Sequence, residues 1–215
     1  MAIIHRTTLE PTKLELLAAW LPTRPWYAGD GRAPEPVKAG GFRLDDPDGA
    51  VGIEFMVVTD SSGARPVAYL APLAYRGAPL DGHDDALIGT TEHGVLGRRW
   101  VYDGTRDPVV QERLFALVLG TAEPQAQSVN ETPDPSVVAV FTGEAGEPGP
   151  AEAADLADGT EVTATVRGVR LAVRVHRVLV PGDADPAALG HVAAPWTLPD
   201  GGSVRGVVAT VRAAG

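Results

Sequence analysis

Leu21-Pro22-Thr23-Arg24-Pro25-Trp26-Tyr27-Ala28-Gly29-Asp30-Gly31-Arg32 packs two prolines, two adjacent aromatic residues and a Gly-x-Gly turn into twelve positions. Pro22 and Pro25 terminate whatever helix precedes them, because proline lacks the amide proton and clashes with the preceding turn. Gly29 and Gly31 admit a tight turn with positive φ, where a side chain would clash. Upstream, Leu14, Leu17 and Leu21 recur at i, i+3 and i+7 with Leu16 and Trp20 beside them. That spacing predicts an amphipathic helix within Thr8–Leu21, with Pro11 in its first turn.

Downstream, the period changes from helical to two. Val51, Ile53, Phe55 and Val57 share one face of Val51–Val58, and the turn Asp60-Ser61-Ser62-Gly63 leads into Pro66–Tyr75. The pair reads as an antiparallel hairpin. A strand over Val37–Leu44 precedes it, and strands over Ala86–Glu92 and Val95–Asp103 follow. Asp107 as N-cap, Pro108 at the first helical position, the stripe Val110, Leu114, Leu117, and Gly120 past the end define a second helix.

Beyond Thr121 the pattern is almost wholly β. Val137–Phe141, Thr160–Val166, Val169–Val180, Val192–Leu198 and Val204–Arg212 read as strands, and Gly201-Gly202-Ser203 as a hairpin turn. Gly143 to Pro150 is acidic and rich in Gly and Pro, which defines a flexible linker over 143–159, with a helical turn expected at Ala151–Ala157. The domain organisation is thus residues 1–122, α+β, a curved antiparallel sheet packed on two helices, and residues 123–215, β-rich.

The chain has 215 residues, a formal net charge of -10 and no cysteine, so disulfides and thiolate chemistry are excluded. Scattered basic residues on an acidic chain disfavour nucleic acid and anionic membrane. No signal-peptide pattern opens the sequence and no apolar run reaches about 18 residues, so a cytoplasmic location is expected. Sixteen Arg stand against two Lys, Lys13 and Lys38.

Three motifs carry a resemblance. Leu21, Pro22, Trp26, Tyr27, Ala28, Gly29, Gly31 and Arg32 are one. The run from Tyr69 to Leu80 is the second, and Val101-Tyr102-Asp103-Gly104 followed by Asp107-Pro108 is the third. In this order and spacing they resemble the N-terminal cap of actinobacterial-type maltokinases over residues 1–120. Asp30 stands where those kinases usually carry Lys. The run Leu171–Pro186 is similar to a strand and Pro-Gly turn of the kinase N-lobe, with Ala172 at the position where the family has its nucleotide-binding lysine.

Phosphoryl transfer needs a positioning Asp, metal ligands and a phosphate cradle. The single asparagine, Asn130, is preceded five positions earlier by Gln125 rather than Asp, and no Gly-x-Gly-x-x-Gly or Gly-Lys-Ser/Thr loop occurs. No catalytic residue, cofactor or metal site is assigned. Asp81, His83, Asp84, Asp85, Glu92 and His93 are rich in metal-ligating types but read as a solvated loop and a turn. His176 reads as an edge or satisfied core residue, His5 and His191 have no recognisable partner, and Arg98-Arg99 is a surface pair. Trp26, Tyr27, Tyr75, Trp100 and Tyr102 read as plugs at the ends of a core, with a sugar platform as the alternative.

The resemblance therefore implies a non-catalytic interaction or regulatory protein in trehalose, maltose or α-glucan metabolism, binding a partner enzyme or another copy of itself. Trp26, Tyr27, Asp30 and Arg32 form the candidate interaction surface, expected to point outward from the glycine-held turn. A sugar-kinase subunit whose catalytic lobe lies on another chain, and a carbohydrate-binding module, are the alternatives.

Overall fold

The computed structural model describes residues 9–127 and 132–214; His5 and Asn130 lie outside them. In chain order the elements are β1 Leu9–Glu10, α1 Lys13–Trp20, β2 Pro36–Leu44, β3 Val51–Asp60, β4 Val67–Arg76, β5 Leu87–His93, β6 Gly97–Asp103, α2 Pro108–Val118 and β7 Gln125–Ala126. Then follow β8 Val138–Phe141, β9 Glu152–Leu156, β10 Gly159–Val166, β11 Val169–His176, β12 Val178–Leu179, β13 Gly190–Thr197 and β14 Ser203–Ala213.

Every strand pairing is antiparallel, and one path runs β1-β5-β6-β4-β3-β2-β13-β14-β11-β10-β9. Among the described residues the halves join three times: Trp196 of β13 pairs with Gly40 of β2, β12 pairs with β4 through Val178↔Tyr69 and Leu179↔Ala68, and β7 pairs with β2 through Phe42↔Ala126 and Arg43↔Gln125. The architecture is a β-rich open antiparallel sheet with two short helices. The expected antiparallel sheet is present, but strands supply most of the structure and the two helices are short, 8 and 11 residues.

Alternation along β3 and β4 explains why both faces of this sheet are buried. Val51, Ile53, Phe55 and Val57, with Leu70 and Ala74, face a core shared with α2 and the C-terminal strands. There Phe42 stacks on Phe55 at 4.8 Å, and Leu114, Val175, Val192 and Val208 close around them. Met56, Val58, Tyr69, Ala71 and Leu73 face the opposite way, onto Leu17, Trp20, Leu21 and Trp26. Each large apolar side chain so buried contributes about 1.5–3 kcal/mol. Residues 1–122 and 123–215 thus build the first core together.

Local chemistry sets the helix limits. α1 begins one turn later than its apolar spacing predicts: Thr12 is the N-cap, accepting from Glu15 N at 3.2 Å while Glu15 Oε2 accepts from Thr12 N at 2.7 Å. Pro11 therefore lies before the cap rather than in the first turn. α2 starts as expected, with Asp107 as N-cap and Pro108 behind it, and Gly120 follows its end at φ +76°.

Two expectations in the C-terminal half fail. Ala151–Ala157 forms β9 rather than a helical turn, because the tight reversal before Gly159 folds it back onto β10, from Leu156↔Gly159 to Glu152↔Thr163. Residues 143–159 accordingly include a strand as well as an irregular stretch tied at Pro148 to Val166. The single strand over Val169–Val180 breaks at Arg177, where the chain leaves β14 and passes to β4.

Candidate functional site

α1 runs into a 3-10 turn at Leu21–Thr23, and Thr23 Oγ1 donates back to Trp20 O at 2.6 Å. The chain reverses through Arg24 and Tyr27, whose amides donate to Leu21 O and Arg24 O. This reversal turns Trp26 inward. Its side chain is 2 % exposed and packs edge-on against Trp20 at 5.5 Å and beside Tyr69. The outward placement expected for Trp26 is corrected: a ring this large next to the exposed end of α1 gains more by filling the core between α1 and β4 than by meeting water.

Tyr27 is half-buried. It stacks on Tyr69 at 5.5 Å, and its hydroxyl donates to Asp60 Oδ2 at 2.9 Å. Gly29 supports this stack by lacking a side chain, since a Cβ there would overlap the Tyr27 ring. Positive φ occurs at Gly31, at +91°, rather than at both glycines. Burial pushes the Tyr27 hydroxyl up, and the Asp60 carboxylate adds to this, to about 12. Burial alone would raise the Asp60 carboxyl, but donors from Ser62 N and Glu35 N at 3.0 Å and from Tyr27 outweigh it and hold it low.

Asp30 and Arg32 do point outward. Arg32 N donates to Asp30 Oδ1 at 3.3 Å, their side chains form an ion pair at 3.7 Å, and Arg32 Nη1 donates to Ser62 O at 3.0 Å. The surface is therefore made of two neighbouring loops, 28–32 and 61–63, anchored from beneath by Tyr27 and Asp60. The Asp60-Ser61-Ser62-Gly63 turn was visible in the sequence only as a hairpin connection.

Behind Trp26 lies a fully buried charge. Arg177, with no exposed side-chain surface, donates through Nη2 to both oxygens of Asp103 and to Thr105 Oγ1 at 2.7 Å, and through Nε to Thr160 Oγ1 at 2.9 Å. Its guanidinium lies 5.1 Å from the Trp26 ring and 5.9 Å from Trp20. A second buried carboxylate, Glu54, accepts from Lys13 Nζ at 2.6 Å, Tyr75 OH at 2.7 Å and Gln127 Nε2 at 3.0 Å. Lys38 adds its charge, so both lysines of the chain act on Glu54. Sequence reading missed both centres. Their one signal was an Arg inside an apolar strand and a Glu inside Val51–Val58.

The remaining sites resolve separately. Trp26 and Tyr102 fill different cores, while Tyr75 and Trp100 are half-buried, so the five aromatic residues do not assemble a platform. His176 Nε2 lies 2.8 Å from Thr210 Oγ1, and burial lowers its pKa. Ala172 sits buried within the sheet opposite Thr163 and Arg212. Among the described residues no three His, Asp or Glu side chains gather as a metal-holding group, and no helix is long and apolar enough to cross a membrane.

Loops 28–32 and 61–63 are thus held together on a β-rich antiparallel sheet. Residues 20–107, which run from the end of α1 to the N-cap of α2, match the family model of the maltokinase N-terminal cap domain. The chain thus carries a maltokinase cap-like region, as the three sequence motifs indicate. No curated protein matches the chain.

Proposed function

We propose that this protein is a non-catalytic interaction or regulatory protein related to the maltokinase cap, acting in trehalose, maltose or α-glucan metabolism. The observation that carries the reading is the match of residues 20–107 to the cap family, a region that here begins with an exposed turn anchored by Tyr27–Asp60 and Arg32–Ser62 hydrogen bonds. Asp30 and Arg32 form its contact surface, and Tyr27 is the anchor beneath them. The partner is an enzyme of carbohydrate metabolism or a second copy of this chain, in the cytoplasm. Departures at Asp30 and Ala172 from the lysines of the resembled family support a role without phosphoryl transfer.

An ADP-release assay on the purified chain with Mg-ATP and maltose tests the non-catalytic part. No ADP above the protein-free blank is expected; sugar-dependent ADP would overturn it. The second reading, a kinase subunit completed by another polypeptide, rests on the strand and Pro-Gly turn of Leu171–Pro186. It predicts that ADP release appears only when that polypeptide is added.

A further inference from the structure

The β5–β6 hairpin turns through Gly94-Val95-Leu96, closed by the pair His93↔Gly97 with Gly97 at φ +69°. Its tip carries two adjacent apolar side chains that meet water, Val95 at 62 % and Leu96 at 45 % exposure. One side chain orders it. His93 Nδ1 accepts from Val95 N at 3.3 Å and from Leu96 N at 3.1 Å. No backbone carbonyl among the described residues takes either amide. We propose that His93 is a proton-operated latch, which holds this tip while its ring is neutral and releases it, with Val95 and Leu96, when the ring is protonated.

Both backbone amides donate, so Nδ1 must carry a lone pair. A neutral imidazole has one bare nitrogen and one N–H, which places the ring proton on Nε2. An imidazolium ring has two donors and no acceptor. Protonation therefore replaces both bonds by an N–H directed at two N–H groups. Imidazole is also the side chain whose charge ordinarily changes between about pH 5 and 8. The latched tip is thus favoured above the ring's protonation and lost as pH falls through it.

The charges around the ring are already engaged or turned away. Glu92 is the register partner of Glu10 in β1 and of Arg98 in β6, on the sheet face opposite His93. Arg98 Nε donates to Glu92 Oε1 at 2.7 Å, and Glu10 is exposed to solvent, which screens it. On the ring's own face Arg99, opposite Thr91, adds a like charge. α1 packs over Gly89 through Leu16, and its Lys13 and Glu15 are held by Glu54 and Thr12. Release stays local, because the β5–β6 pairs from Leu87↔Tyr102 to Glu92↔Arg98 do not involve the ring.

The test is an NMR titration of the full chain from about pH 8 to 4.5, following the His93 ring nitrogens and the hydrogen-exchange protection of the Val95 and Leu96 amides. The proposal expects an Nε2–H ring at the alkaline end. It expects protection of both amides to fall by about tenfold in step with ring protonation, the effect of one or two lost hydrogen bonds. His93→Ala should lose that protection at every pH, with an unchanged melting midpoint. His93→Asn, whose side-chain oxygen accepts and does not titrate, should show no pH step. A ring proton on Nδ1 at the alkaline end, a ring neutral throughout, amides indifferent to its titration, protection kept in His93→Ala, or a pH step kept in His93→Asn would each overturn it.

Discussion

Arg177 donates through one nitrogen, Nη2, to both carboxylate oxygens of Asp103, at 2.6 and 2.7 Å, across 74 positions of sequence. Asp103 ends β6, and Arg177 occupies the break between β11 and β12, so the bond pins the two halves together behind Trp26. Thr160 links the network onward, donating to Asp155 Oδ1 at 2.8 Å, and Asp155 accepts from Arg106.

Removing one member of this pair strands the other charge without solvent. Arg177→Ala or Asp103→Ala is expected to destabilise the chain by about 3–5 kcal/mol in urea unfolding. The paired replacement Arg177→Met/Asp103→Leu should lose less than the sum of the single changes, because neither charge is then left buried alone. Additive losses would show that the two side chains act independently.

Gly29 has a different kind of role. In Gly29→Ala the new methyl group displaces the Tyr27 ring, which separates its hydroxyl from Asp60. The expected loss is about 1 kcal/mol, one hydrogen bond, together with a changed near-ultraviolet circular dichroism signal from the Tyr27–Tyr69 stack. An unaltered spectrum would contradict this account of the turn.

Acid should weaken the fold through Glu54. Burial alone would raise its carboxyl, but the Lys13 ammonium and the Tyr75 hydroxyl outweigh that and hold it below the usual range. A depressed carboxyl contributes stability that is present above its unfolded value of about 4.3 and lost as pH falls through the folded value. Glu54→Gln should therefore be less stable than wild type at neutral pH, with the gap narrowing as pH drops below about 4. A gap constant with pH would count against the buried ion pair.

Alkali acts on Tyr27 with the opposite sign. Its hydroxyl is raised from about 10 in the unfolded chain to about 12 in the fold. The corresponding stability is present below pH of about 10 and is lost as pH rises through the folded value. Tyr27→Phe lacks this loss, so the stability difference between the two chains should shrink above that point. Tyrosinate absorbance should also show one fewer late-titrating group in the variant.

The order of strands and the limits of α2 were legible because they rest on local rules: period two along Val51–Val58, and Asp107-Pro108 with Gly120 at the helix ends. The inward turn of Trp26 was not. Its direction depends on Trp20, Tyr69 and Arg177, three contacts that are distant in sequence or on the far side of a reversal. β9 was hidden by a run of Ala, Glu and Asp with helical preference, which the reversal before Gly159 overrides. Arg177 was read as one residue of a strand because nothing local marks the exchange of partner from β14 to β4. Asp30 and Arg32 were correctly read as outward, since their own glycines set that geometry.

The most direct test of the central claim is quantitative capture from native cells with the tagged wild-type chain and with Asp30→Arg/Arg32→Glu. Both side chains are exposed, at 41 % and 68 %, so this double reversal should leave the unfolding free energy within about 0.5 kcal/mol of wild type. The account predicts that wild type retains an enzyme of trehalose, maltose or α-glucan metabolism, or a second copy of itself, and that the variant loses it. Equal retention by both chains would show that this turn is not the contact surface, and capture of neither would contradict the interaction role itself.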